Sequence, residues 1–264
     1  LIIAVVFVIS ELVCVACVPE RPVACDEKPG KISDMFKALF KNDQAMTVVV
    51  SIILVYTSLN ICGNLVLYFF RFDVGNEGAY SIFAAVAFAA QVLVMMVIPL
   101  LRKKFSKSQL FISGFIIQIA GFAVILIMAF AKLYTPQSWY ILCLPGILIY
   151  LGYGMLNVIM TIFLSDSVDY GEVMNGTREE SVIFSMQTFT VKLASGVAVF
   201  LAGLVVDWIH LDTAAAVQTQ DTLDDLRMWM TIPSVILLIV GIFVFKRFYK
   251  LDDTRMEEIK SKLN

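Results

Sequence analysis

The sequence predicts an all-α protein that spans a membrane with about seven helices. Three observations predict it. Hydrophobic residues make up 59% of the 264 positions and mean hydropathy is +0.85, whereas soluble domains sit nearer about 45–50% apolar. Uncharged runs recur at Ala45–Phe70, Ala79–Leu101, Gln109–Ala131, Trp139–Leu164 and Met228–Phe245. Two more, Ser181–Val206 and Leu1–Val18, are broken only by Lys192 and Glu11. Each holds about 18–26 residues, enough to cross a bilayer as a helix. Finally, basic residues collect in alternate connections, as they do in membrane proteins. A β-barrel would show strands of about ten residues with alternating polarity, and no such pattern is evident.

The first segment, residues 1–18, lacks the basic start, initiator Met and small-residue cleavage site of a secretory leader. Leu1 reads as a truncation point, so the natural chain is expected to extend upstream. Cys14 and Cys17 form a C-x-x-C with Cys25 beyond. A redox or zinc role competes there with ordinary apolar placement, and the absence of a nearby histidine favours the latter. His210, the single histidine, makes no metal site alone. In the connection 19–44, Ile32, Met35, Phe36, Leu39 and Phe40 fall at helical spacing, with Lys37 and Lys41 off the stripe. A helix lying on the membrane and a segment docked on the bundle both fit.

Residues 45–248 hold the next six segments. Segment two carries Asn60 and Asn64 at i, i+4, a stripe that Tyr56 and Tyr68 extend. Gln91 lies in segment three, Gln118 in four and Asn157 in five. These amides suit either a cavity lining or hydrogen bonds between helices. The connection Asp207–Arg227 holds five carboxylates and reads as a solvated loop, and residues 249–264 form a charged tail. No basic tract reads as a nucleic-acid site.

Charge fixes an expected orientation. With the 19–44 connection inside, that connection, the Arg102–Lys107 turn, Arg178 and the tail from Lys246 onward carry sixteen basic residues. The other side holds three, Arg71, Lys132 and Arg227. The C-terminus is therefore expected to be cytoplasmic.

Lys192 is the strongest pointer to function. Eleven residues into its segment, it lies roughly 17 Å deep at helical rise, near the middle of a hydrocarbon layer about 30 Å thick. An unhydrated cation there costs about 2.5–3.5 kcal/mol, so such residues face a bundle interior, a water-filled cavity or a carboxylate. Ser185, Thr188, Ser195 and Gly196 share its side of the helix, and Gln187 borders it. Ala194, Ala198 and Ala202 offer small residues for close packing. Glu11 and Asp207 lie near segment ends, leaving Lys192 almost no partner at depth. Transport is the function this pattern indicates. An intramembrane enzyme is not indicated, since there are no paired catalytic aspartates, no histidine cluster and no Ser/His arrangement.

Between segments five and six, Ser165–Ser181 reads SDSVDYGEVMNGTREES. Asp166, Asp169, Glu172, Glu179 and Glu180 surround Arg178 in what is expected to be an inside loop. A gate that exchanges ion pairs and an ordinary soluble loop both fit that composition.

D-S-V-D-Y-G-E, T-R-x-E-S, F-S-x-Q-T-F and the in-membrane V-K-L-A-S-G together resemble the glycoside–pentoside–hexuronide:cation symporters. These are the melibiose-permease-like branch of the major facilitator superfamily. F-K-A-L-F-K-N-D-Q, N-L-V-L-Y-F-F-R-F-D-V-G-N and F-Y-K-L-D-D add support, so the similarity runs from about Phe36 to Asp253. The resemblance implies a major-facilitator-type bundle in which segment one is helix six, and segments two to seven are helices seven to twelve, of a twelve-helix transporter. Two inverted three-helix repeats are expected, segments two to four and five to seven. The implied function is symport of a sugar or glycoside driven by Na⁺ or H⁺, in the bacterial inner membrane, with the N-terminal half of the same protein as a missing partner. No cofactor is expected. Lys192, Thr188, Gln187, Asn64, Asn60 and Asn157 are the expected substrate and cation site. Lys192 would donate to a sugar hydroxyl, pair a carboxylate, or both in turn. Asp166, Asp169, Tyr170, Glu172, Arg178 and Arg102 are the expected cytoplasmic gate. A lipid or amphiphile transporter of the same superfamily and a non-transporting membrane subunit are the alternatives.

Overall fold

The computed structural model describes residues 2–17, 40–176 and 180–263. Among these the secondary structure is helical and no strand occurs. The chain divides into two units, Leu1–Met35 and Phe36–Asn264. In the first, α1 (Ile2–Cys17) is a 16-residue apolar helix whose side chains at 5–14, 16 and 17 are exposed, and Ser10 Oγ donates to the Phe7 carbonyl at 2.7 Å. Most of the proposed linker helix, with Ile32, Met35, Phe36 and Leu39, lies outside the described residues, as does Cys25.

The second unit holds six helices long and apolar enough to cross a membrane. They are α2 (Asp43–Tyr68), α3 (Ala79–Leu101), α4 (Lys107–Phe130), α5 (Cys143–Asn175), α6 (Glu180–Trp208) and α7 (Gln220–Phe248). A short α8 (Asp253–Leu263) follows. Local sequence sets several starts. Asn42 caps α2 by accepting from the Ala45 amide, and Ser106 with Gln109 forms a reciprocal capping box on α4. Thr219 accepts from the Thr222 amide to start α7. At the far end of α2 the chain widens into a π-turn, Phe69–Asp73.

Two expected loops are partly helix. Asp166, Asp169, Tyr170 and Glu172 belong to α5, which runs on to Asn175 and stops at Gly176, whose φ of +74° is the left-handed C-cap that glycine favours. The hydrophobic run ends at Leu164, but the helix does not. Ser165–Asn175 contains no proline, and its one glycine, Gly171, is tolerated within the helix. Likewise Asp221, Asp224 and Asp225 lie in the first turns of α7, which leaves a true loop of residues 209–219.

The helices pack in a pattern with internal symmetry. α2 packs on α6 and α7, while α5 packs on α3 and α4; α2 also meets α5, and α4 meets α7. Apart from the contact between the consecutive helices α5 and α6, exchanging α2 with α5, α3 with α6 and α4 with α7 returns the same set of neighbours. That is the arrangement expected of two three-helix repeats. Ala194, Ala198 and Ala202 are the buried side of α6. Ser58 and Ser234 stitch α2 to α7, each hydroxyl donating to the other's carbonyl at 3.0 and 2.8 Å.

Glycines let α5 approach two neighbours at once. A Cβ on Gly152 would stand 2.5 Å from the Gly114 carbonyl oxygen and 2.6 Å from the Gln118 nitrogen, both on α4. A Cβ on Gly154 would stand 2.7 Å from Val94 on α3. Backbone cannot yield as a side-chain tip can, so Gly152→Ala is expected to destabilise the bundle by about 1–3 kcal/mol. Gly203→Ala, with nothing within 4 Å of its Cβ, is expected to be neutral. Thermal unfolding of the purified variants in one detergent checks both.

Candidate functional site

The expected site residues fall into two groups, one at the depth of Lys192 and one at the end of the bundle where α4 begins. On α6, Lys192, Thr188 and Ser185 are exposed, and Gln187 and Ser195 are half-buried. Thr188 Oγ1 donates to the Phe184 carbonyl at 3.3 Å. Lys192 has no ion-pair partner among the described residues. The polar stripe therefore turns away from the bundle that this unit builds, opposite the buried alanine side.

α2 and α5 contribute a second polar patch. Asn157 Nδ2 donates to Tyr56 Oη at 2.6 Å, and Tyr153 meets the Tyr56 ring edge-on with centroids 5.5 Å apart. Asn60 Nδ2 donates to the Tyr56 carbonyl at 2.8 Å, and Asn64 Nδ2 to the Asn60 carbonyl at 2.7 Å. These asparagines spend their donors along their own helix and keep their amide oxygens for other partners. Tyr68 stacks instead on Phe72, at 6.5 Å. Gln118 departs from the expected lining. It is fully buried beside the α5 backbone at Gly152, and neither amide atom has a hydrogen-bond partner among the described residues. Gln91 packs against Gly154.

The second group is ionic. Lys107, in the first turn of α4, forms a buried salt bridge with Asp166 on α5 and lies 3.4 Å from Asp253 at the start of α8. Arg102 reaches the same Asp253 at 3.7 Å. Asn42 Nδ2 donates to the Ser167 carbonyl at 2.8 Å, and Gln44 Oε1 accepts from the Lys250 amide at 2.8 Å. The α2, α4, α5 and α8 ends are thereby held together. Tyr249 is half-buried against this cluster with its hydroxyl enclosed, and burial followed by the nearby Asp166 and Asp253 carboxylates pushes its phenol well above the usual range. Asp169, Tyr170 and Glu172 are half-buried. Arg178 lies outside the described residues. Lys107 and Asp253 complete the group but were not singled out from sequence. Their signals were a basic run and an acidic pair that look like ordinary interface charges.

A third cluster closes the other end. Arg227 on α7 makes a two-pronged salt bridge to Asp73, with Nε to Oδ2 at 2.8 Å, and a further bond to Asp224. Tyr134 Oη donates to Asp73 Oδ2 at 2.6 Å. Burial, then the Asp73 charge, pushes the Tyr134 phenol far above its ordinary range. Asp224 is thus part of an ion network, and the acidic connection is not wholly a solvated loop.

An ionically closed six-helix bundle with a lysine on an open polar face can be compared with known proteins. Residues 1–253 match the family described as MFS/sugar transport protein. The chain belongs to that family. Among curated relatives, an uncharacterized symporter of Bacillus subtilis is 25% identical, covering 96% of this chain and 54% of the relative. The raffinose carrier protein of Pediococcus pentosaceus is 23% identical, covering 88% and 35%. The isoprimeverose transporter of Lactiplantibacillus pentosus is 24% identical, covering 96% and 51%. The chain thus spans about half the length, or less, of these relatives. Their names and the family description indicate transporters rather than enzymes, and they agree with the resemblance to the glycoside–pentoside–hexuronide symporters.

Removing one member of a buried ion pair costs up to about 3–5 kcal/mol where the other charge is left uncompensated; without Asp166, Lys107 would keep, among the described residues, only the more exposed Asp253. Asp166→Asn is expected to lower the unfolding temperature sharply. Lys107→Met/Asp166→Leu, which removes both charges, is expected to recover much of the loss. Equal midpoints for the single and double variants in a thermal melt would show that the pair carries no such role.

Proposed function

We propose that the protein is a cation-coupled sugar or glycoside symporter of the bacterial inner membrane, and that this chain supplies its C-terminal half. The observation that carries the reading is Lys192 with Thr188, Ser185 and Gln187 on the open face of α6. A lysine with no ion-pair partner among the described residues at that depth requires polar surroundings from outside its own bundle. An upstream half presenting membrane carboxylates would provide them, leaving a site near the midplane between two halves. The relatives named for raffinose and isoprimeverose support a sugar as cargo.

In this reading Asn157, held to Tyr56, lines the same site from α5, and Asn60 and Asn64 line it from α2. The cation would favour the sugar-binding state, so that differential affinity links the two gradients. Arg102 and Asp166, with Asp169, Tyr170, Glu172 and Arg178, would form the cytoplasmic gate. The first segment would be helix six, and the C-terminus would be cytoplasmic, as the basic residues favour.

Uptake tests the reading. Radiolabelled α- and β-galactosides and xylosides would be offered to vesicles carrying the complete reading frame, with a Na⁺ or H⁺ gradient imposed or collapsed. Accumulation is expected under one of the gradients only. Lys192→Ala is expected to fall to the collapsed-gradient level while the protein stays folded. Full concentrative uptake by that variant would remove Lys192 from the mechanism. No uptake of any sugar by correctly inserted protein would favour an amphiphile as cargo.

A further inference from the structure

We infer that the end of the bundle bearing Lys107 holds a binding site for a phosphate-bearing anion. A cavity of about 460 Å³ opens there between the α3–α4 turn and α8. One wall is the Arg102–Lys107 turn. The other is a single stripe of α8, Asp253, Met256, Glu257 and Lys260, which stand at the i, i+3, i+4, i+7 spacing of one helix face. Met256 is buried beneath it and, with Leu251 and Ile259, packs α8 against Tyr170, Val173 and Tyr249, so this wall is anchored to α5.

The charges inside the cavity do not cancel. Arg102 and Lys107 are met by Asp253 and by Asp166. Lys103, Lys104 and Lys260 are exposed and have no ion-pair partner among the described residues, and Glu257 is the one further carboxylate in the lining. The walls thus keep a surplus of positive charge facing a concave space. A second feature has the same sign. α4 starts in this cavity, and its capping box satisfies the Gln109 and Ser106 amides. The Lys107 and Ser108 amides are left without intrahelical acceptors, at the positive end of the helix dipole. Lysine ammonium groups and helix N-terminal amides are the usual partners of phosphate.

The ligand chemistry is therefore a phosphate monoester or diester, and two sources share it. One is the headgroup of an anionic phospholipid, which basic pockets beside membrane helices recognise on the cytoplasmic side. The other is a soluble phosphorylated compound. In either case the site shares Arg102 and Lys107 with the ion network that holds α5 to α8, so occupancy acts on the segment proposed as the gate.

The test reads stability, because a ligand that binds only the folded state raises the unfolding temperature. The complete protein would be placed in nanodiscs of phosphatidylcholine and titrated with pyrophosphate at constant ionic strength. It would then be placed in nanodiscs that also contain phosphatidylglycerol. A rise of several degrees is expected in at least one arm. A rise with pyrophosphate assigns a soluble anion, and a rise with phosphatidylglycerol alone assigns the headgroup. The rise is expected to vanish in Lys103→Gln/Lys104→Gln/Lys260→Gln and to persist in Lys246→Gln/Arg247→Gln, whose exposed charges lie at the end of α7 and outside the cavity. No rise in either arm overturns the site. So does an equal loss in both variants, which would mark a diffuse surface-charge effect.

Discussion

Polar groups buried at membrane depth have no bulk water to turn to, and this constraint shapes the interior of the bundle. Each unsatisfied backbone group in hydrocarbon costs several kcal/mol, so helices are obligatory and side-chain hydroxyls and amides must bond locally or across a tight crossing. The structure shows both solutions. Ser51 and Thr231 donate to carbonyls four residues back on their own helices. Ser58 and Ser234 instead close a reciprocal pair between α2 and α7, which works only because both residues are small and the helices nearly touch. Gln118 stands apart, since its amide is buried where α4 and α5 pass too closely over Gly152 for another partner to enter.

The charges that hold the bundle lie at its two ends and are paired. Lys107, Asp166, Asp253 and Arg102 tie α4, α5 and α8, while Asp73, Arg227 and Asp224 tie the end of α2 to α7. Buried pairs of this kind contribute little net stability over apolar packing, but they tolerate no loss of a partner. They therefore fix which helix ends stay together and add less to the overall strength of the fold. Between the clusters, α2 and α5 are the central helices, each touching all three helices of the opposite triplet. Tyr56 and Asn157 join these two helices midway.

The apolar runs were legible because hydrocarbon thickness sets their length; α3, α6 and α7 contain the whole run that sequence assigned to them, and α2, α4 and α5 contain all but one to four end residues of theirs. The acidic segment was misread for a related reason. A hydropathy run ends where the bilayer ends, but a helix has no cause to end there, and α5 carries Asp166 and Asp169 out as helix until Gly176. The partner of Asp166 was not legible either. Lys107 sits 59 positions earlier, in a run of basic residues that all obey the same sorting rule, and nothing in one dimension separates the buried lysine from its exposed neighbours. Ser106 gives the local clue, because a capping box places Lys107 on the first turn of α4. Arg227 is similar, one basic residue in an acidic stretch, and its burial is decided by Asp73 on another helix.

Lys192 is the basic residue that lies deep within a membrane-length apolar run, and it has no ion-pair partner among the described residues. The lysine and arginines of the end clusters sit inside or at the rim of the bundle with carboxylates within salt-bridge distance, whereas Lys192 faces outward, flanked by exposed Leu193, Val197 and Phe189. If lipid covered that face, the cation would cost about 2.5–3.5 kcal/mol and the neighbouring Thr188 and Ser185 would add nothing to offset it. If a second set of helices covered it, the apolar flanks would seal the contact and the polar stripe would be left lining an enclosed, hydrated space. The second arrangement removes the cost and explains why the hydroxyls share the lysine's side. It is also the arrangement that the proposed symport requires, because a site between two halves is one that each half can uncover in turn.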